Sequence, residues 1–221
     1  MKAMKAMKAK NAIIITGGSV TDYAYYNEYF ENADLVICAD GGVKHLEKFK
    51  IYADYFIGDF DSCDFESFKN CEYVKNAEII RFKCEKNETD TEIAIDIAIE
   101  KNCSEIILIG ALGTRFDHSL SNVFLLKKAM DKNVDAVIVD EHNKIRLTDK
   151  SISLTPCKNS FLSFVALEKI ENLCLENLKY PLSDYTLDVG TSRCISNEFI
   201  DGKTAKVSFS KGLLLVMITN D

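Results

Sequence analysis

At 221 residues, 47% of them hydrophobic, the chain has enough apolar material for one large domain or two small ones, and too much for a disordered segment. A formal charge of −7 leaves no basic footprint for nucleic acid or an anionic membrane surface. Eight cysteines with no C-x-x-C pair, several inside apolar runs, fit reduced, buried thiols in a cytoplasmic protein rather than a disulfide framework.

The first ten residues, Met-Lys-Ala three times and then Lys10, read as a leader or an expression scar. They lack the apolar stretch of a signal peptide, and no segment of the chain reaches the ~18 apolar residues of a membrane span. From residue 11 to about 142, short Ile- and Val-rich runs alternate with helical patterns. Strands are expected at Ala12–Thr16, Leu35–Ala39, Tyr55–Gly58, Glu78–Phe82, Ile106–Gly110 and Ala136–Val139. A helix is expected over Asp90–Lys101, with Ile93, Ala94, Ile97 and Ala98 on one side and Thr89 as its cap. A second is expected over Asp117–Lys132, with Leu120, Val123, Phe124 and Ala129 together. Strands that are apolar throughout, alternating with helices, imply an α/β domain: a mainly parallel sheet flanked by helices on both faces.

Beyond Lys150 the helical period disappears. Ser160–Leu167, Leu173–Leu178, Thr186–Val189, Ala205–Phe209 and Leu213–Thr219 read as strands divided by Asn, Asp, Gly and Pro. Residues 143–221 are therefore expected to form a smaller all-β, sandwich-like domain. Asn143–Leu147 either opens it or closes the first.

Ligands collect outside the carboxyl ends of parallel strands, which directs attention to the strand-end loops. Polar residues follow the apolar runs at Thr16-Gly17-Gly18-Ser19, at Ala39-Asp40-Gly41-Gly42, at Gly58-Asp59-Phe60-Asp61-Ser62, and from Gly110 to His118. Lys86 to Asp90 adds another such loop before a helix. Asp59 and Asp61, two apart in an extended loop, point the same way and can share a hard cation with substrate phosphates; Asp90 and Asp40 could complete the set. Singly, each aspartate is also a common turn former or cap. Gly17-Gly18 and Gly41-Gly42 allow close approach of backbone N–H groups to an anion. Arg115 suits bidentate phosphate binding, or else a surface pair with Asp117. His118 could be an acid, a base, a ligand or structural. Histidine spacing does not suit zinc, and neither a P-loop, a G-x-G-x-x-G fingerprint nor a G-x-S-x-G elbow is present.

Taken in order, ADGG at Ala39–Gly42, GDFDS at Gly58–Ser62, Lys86–Asp90, Gly110–His118 with its RFDH, and Ser196–Phe199 resemble the thiamin pyrophosphokinase family. The resemblance runs from about Ala12 to Asp221. It implies transfer of an intact diphosphate from ATP to the hydroxyl of thiamin, with release of AMP and with Mg²⁺. It also implies an ATP-binding α/β domain and a thiamin-binding β-sandwich, in a homodimer with active sites between subunits. On this resemblance Asp59, Asp61 and Asp90 are the metal-binding and catalytic carboxylates. Asp40, Gly41, Lys86, Arg115, Asp117 and His118 stand on the ATP side, and Ser196 and Asn197 form the lip of the thiamin pocket, acting from the partner subunit. Asn87 departs from the aspartate usual in the family, and Thr114 replaces a glycine before Arg115. The alternatives are diphosphate transfer to another alcohol, such as a hydroxymethylpterin, and a non-catalytic nucleotide- or thiamin-binding regulator.

Overall fold

Short runs of Ile, Val and Leu become strands because β-branched and bulky side chains fill both faces of a pleated sheet. The computed structural model describes residues 10–58, 71–81 and 88–221. The chain divides into two compact units, Met1–Glu141 and His142–Asp221.

The first unit contains β1 (Lys10–Ile15), β2 (Leu35–Ala39), β3 (Tyr55–Gly58), β4 (Glu78–Arg81), β5 (Cys103–Ile109) and β6 (Asp135–Val139). They lie in the order β6-β5-β1-β2-β3-β4, and every pairing is parallel. Its helices are α1 (Asn27–Phe30), α2 (Val43–Phe49), α3 (Asp90–Glu100) and α4 (Phe116–Asp131). Both sheet faces are covered. Ile13, Ile15, Cys38 and Ile109 share a core with Tyr26, Leu46 and Phe49. The intervening Ile14, Ile37 and Leu108 are also fully buried, with α3 laid across β1, β2, β3 and β5. Burial on both faces is why these strands read as unbroken apolar runs.

From β1 to β4 the chain fills the sheet in one direction, and β5 then returns to the other side of β1. That reversal opens a crevice at the carboxyl ends of β1 and β5.

Thr89 caps α3 by accepting the N–H of Glu92 at 3.2 Å, and Asp90 and Glu92 place negative charge in the first turn, where the helix dipole favours it. Its buried face carries Ala94, Ile95, Ile97 and Ala98, so Ile95 stands where Ile93 was expected. The correction in α4 is larger: Leu120 and Phe124 are exposed, and the buried residues are Asn122, Leu126 and Ala129. A buried asparagine is tolerated because its amide donates to the Ala111 carbonyl at 2.7 Å. Lys128 joins the two helices, with Nζ 2.9 Å from Glu92 and 2.6 Å from Asp96.

The second unit is a β-sandwich, as its alternating short strands imply. Its strands are β7 (Asn143–Thr148), β8 (Ile152–Leu154), β9 (Phe161–Ala166), β10 (Ile170–Glu176), β11 (Leu182–Leu187), β12 (Asn197–Glu198), β13 (Ala205–Ser208) and β14 (Leu214–Thr219). The antiparallel orders β12-β9-β14-β7 and β11-β10-β13-β8 enclose a core that includes Leu162, Phe164, Leu173, Leu175, Val207 and Val216. The strand expected at Thr186–Val189 lies earlier. Val189 is exposed, just before Gly190 at φ 86°, whereas Asp184 sits at φ 50° where the register with β10 shifts. A bulge of this kind hides a strand from a search for strict alternation.

Candidate active site

The loops after β1, β2 and β5, together with the starts of α3 and α4, surround a cavity of ≈ 440 Å³ at the sheet's reversal point. Asp40, Gly41, Asp90, Arg115 and His118 all line it. Residues from Thr16 to Asn122 meet because they end strands or lie at the starts of helices on the same edge of the sheet.

Gly18 does different work from that expected. The Gly18 N–H donates to Gly110 O at 2.7 Å and the Ser19 N–H to Leu112 O at 2.8 Å, so these donors knit loops together and do not face an anion. A Cβ on Gly18 would lie 2.2 Å from both carbonyl oxygens. Contact between backbones therefore demands this glycine. The Thr16 hydroxyl reinforces the same seam by donating to Gly110 O.

Asp40 follows β2 with φ 44°, a left-handed conformation that Asp adopts more readily than most residues. Its carbonyl accepts the N–H of Val43, turning the chain into α2. Asp90 opens α3 behind the Thr89 cap. Arg115 pairs side-on with Asp117, with Nε 3.3 Å from Oδ1 and an NH2 nitrogen 2.6 Å from Oδ2. The Asp117 carboxyl is held down at about 2, chiefly by its hydrogen bond from Arg115. The pair anticipated as a surface alternative thus forms, and its arginine lines the cavity. A guanidinium carries five N–H groups, so a side-on pair leaves others for a second anionic oxygen.

Other residues hold this frame without having been anticipated. The Ser119 hydroxyl accepts the Gly113 N–H at 3.0 Å, and the Asn122 amide holds Ala111. From α2, Lys44 donates to Gly17 O at 2.6 Å and His45 approaches Gly18 O at 3.0 Å. Glu141, after β6, accepts from the N–H groups of Thr21 and Asp22 and from the Tyr26 hydroxyl. Only Glu141 stands in a strand-end loop, after β6, and the others lie inside helices, so a search of strand-end motifs passes over them.

Asp59, Asp61 and Lys86, like Asn87, lie outside the described residues, and among the described residues no group of three or more His, Cys, Asp or Glu could hold a metal. Ser196 and Asn197 lie in the second unit. Asn197 is buried; its Oδ1 accepts from the backbone of Tyr180 and Glu198, and its amide donates to Tyr180 O at 2.8 Å. Ser196, at φ 57°, donates its N–H to Ser163 Oγ at 2.9 Å. Among the described residues no helix is long and apolar enough to cross a membrane.

Two family models match the chain in succession: thiamin pyrophosphokinase, catalytic domain, over residues 26–138, and thiamin pyrophosphokinase, vitamin B1 binding domain, over 144–214. The chain is 31% identical over 215 residues to the thiamine pyrophosphokinase of Bacillus subtilis, covering 96% of this chain and 100% of the relative. The crystal structure of thiamine pyrophosphokinase from Bacillus subtilis superposes with a TM-score of 0.85 at 30% identity, covering 96% of this chain and 100% of the other. That of thiamin pyrophosphokinase from Geobacillus thermodenitrificans gives 0.81 at 29%, covering 96% and 98%.

Proposed function

Because the chain belongs to the thiamin pyrophosphokinase family, we propose that it is a thiamine diphosphokinase, transferring the diphosphate of ATP to the hydroxyl of thiamin and releasing AMP. The observation that carries the reading is the convergence of Asp40, Asp90, Arg115 and His118 on a single cavity at the sheet's reversal point.

The acceptor oxygen attacks the β-phosphorus, and the bond from that phosphorus to the oxygen bridging it to the α-phosphorus breaks. AMP leaves with the bridging oxygen, and the hydroxyl proton passes to a carboxylate or to water. Positioning and charge neutralisation are what such a transfer asks of a protein. Arg115, oriented by Asp117, binds phosphate oxygens through the N–H groups that the pair leaves over. Gly41 and Asp40 bound the nucleotide side, together with His118 and, outside the described residues, Lys86. Carboxylates suit a hard cation that shares its coordination with phosphates, and Asp90 with Asp59 and Asp61 would hold Mg²⁺. A cation held there would neutralise charge on the transferring phosphates.

On the thiamin side, Ser196 contacts the substrate, and Asn197 keeps the Tyr180 turn in place. The reading extends to a cytoplasmic homodimer with active sites between subunits. Phe116, Leu120 and Phe124 support the dimer: they form an exposed apolar stripe at i, i+4, i+8 on α4, of the kind that oligomer contacts cover. Sedimentation velocity checks it, and a monomer at micromolar concentration would refute it.

The acceptor is tested by measuring AMP release from ATP and Mg²⁺ with thiamin and with 6-hydroxymethylpterin in parallel. Release with thiamin alone is expected. Release with the pterin alone would replace this function by its sister activity.

A further inference from the structure

Both peptide planes of the loop after β1 are pinned at each end. In the Gly17–Gly18 peptide, the carbonyl accepts from Lys44 Nζ at 2.6 Å and the N–H donates to Gly110 O at 2.7 Å. In the Gly18–Ser19 peptide, the carbonyl lies 3.0 Å from His45 Nε2 and the N–H donates to Leu112 O at 2.8 Å. Gly17 and Gly18 line the cavity, and so do Gly110 and Leu112, whose carbonyls accept from Gly18 and Ser19. The two side-chain anchors are neighbours in α2, the helix that begins directly after Asp40-Gly41-Gly42. One turn of helix therefore couples the loop after β1 to the loop after β2.

The two anchors differ in strength of commitment. Lys44 is exposed, and water can replace its ammonium at Gly17. His45 is 3% exposed, so no solvent stands ready to replace it. A ring nitrogen facing a carbonyl must donate, which leaves Nδ1 to accept from the Tyr23 hydroxyl at 2.8 Å. Burial lowers the imidazole's pKa, which agrees with a neutral ring that has one donor and one acceptor.

We infer that His45 is a positioning residue for nucleotide binding: through Nε2 it holds the Gly18 carbonyl, and with it the Gly17–Gly18 wall against which the phosphates of ATP lie. The inference rests on the ATP-dependent function proposed above. His45 does not line the cavity, so it acts only through the loop. A histidine serving the core alone would matter for stability and not for the nucleotide.

The two bonds can be separated by substitution. An asparagine amide ends near the place of Nδ1, keeping Tyr23 and losing Gly18. A glutamine amide reaches the place of Nε2, keeping Gly18. Binding of a non-hydrolysable ATP analogue with Mg²⁺ is measured by calorimetry on the full chain as wild type, His45→Asn, His45→Gln and Tyr23→Phe. His45→Asn is expected to raise Kd about tenfold, as for loss of one buried hydrogen bond, with His45→Gln and Tyr23→Phe within about threefold. In steady state the KM for ATP rises in His45→Asn while that for thiamin stays put.

Wild-type affinity in His45→Asn would overturn the inference, as would equal weakening in all three variants, which would mark a packing role. A wild type that binds the analogue but releases no AMP with thiamin sinks the activity, and the same binding series still decides the part played by His45. A wild type that does not bind the analogue overturns both.

Discussion

Replacing Glu141 by glutamine removes a charge from a site built to hold one. Burial alone would push the Glu141 carboxyl up, but the N–H groups of Asp22, of Glu141 itself and of Thr21, with the Tyr26 hydroxyl, outweigh it and bring the group from 4.5 to about 2. A fall from 4.5 to about 2 is worth about 3 kcal/mol at 1.36 kcal/mol per unit, and partial exposure reduces this to about 2 kcal/mol. Because the folded-state pKa is the lower one, this stability is present above about pH 4.5 and is lost as pH falls toward 2. Glutamine does not titrate and offers one acceptor oxygen in place of two. The Glu141→Gln protein should therefore melt about 4–8 °C below wild type at pH 7. Thermal or urea unfolding of both proteins between pH 7 and pH 3 measures the gap, and other carboxylates cancel in the difference. The gap should narrow below pH 4.5. A gap that stays constant down to pH 3 would refute the reasoning, because the lost stability would then owe nothing to the charge of Glu141.

Gly18→Ala places a methyl group 2.2 Å from Gly110 O and Leu112 O, so the loops must separate; a loss of 2 kcal/mol or more is expected in urea unfolding, with a raised KM for ATP. Lys128→Met leaves Glu92 and Asp96 without their shared cation, and calorimetric melting should show about 1 kcal/mol of destabilisation that shrinks in 1 M salt. Asp117→Asn frees the Arg115 guanidinium; steady-state kinetics should show the KM for ATP rising several-fold while the melting temperature stays within a degree or two, since the pair is exposed.

The parallel sheet and its two main helices were legible because strands buried on both faces carry continuous apolar runs and α3 announces itself with a cap and acidic first turn. The outward stripe of α4 was not, because periodicity locates an apolar face without saying what covers it, and the inward Asn122 owes its place to one carbonyl far away in the chain. Asp40, Asp90, Arg115 and His118 could be placed by the strand-end rule, and the cavity does gather them. Gly18 was recognised as special for the wrong physical reason: its missing side chain admits two backbone carbonyls. Lys44, His45 and Glu141 stayed hidden because each acts on backbone groups remote in sequence, leaving no spacing to read.

The most direct test of the proposed transfer is the stoichiometry of products from ATP, thiamin and Mg²⁺, followed by chromatography for wild type, Asp61→Asn and Asp90→Asn. Wild type should give AMP and thiamin diphosphate in equal amounts, and both variants should lose turnover while melting within a few degrees of wild type. Formation of ADP in place of AMP, or wild-type turnover in Asp61→Asn, would contradict a diphosphate transfer organised by these carboxylates.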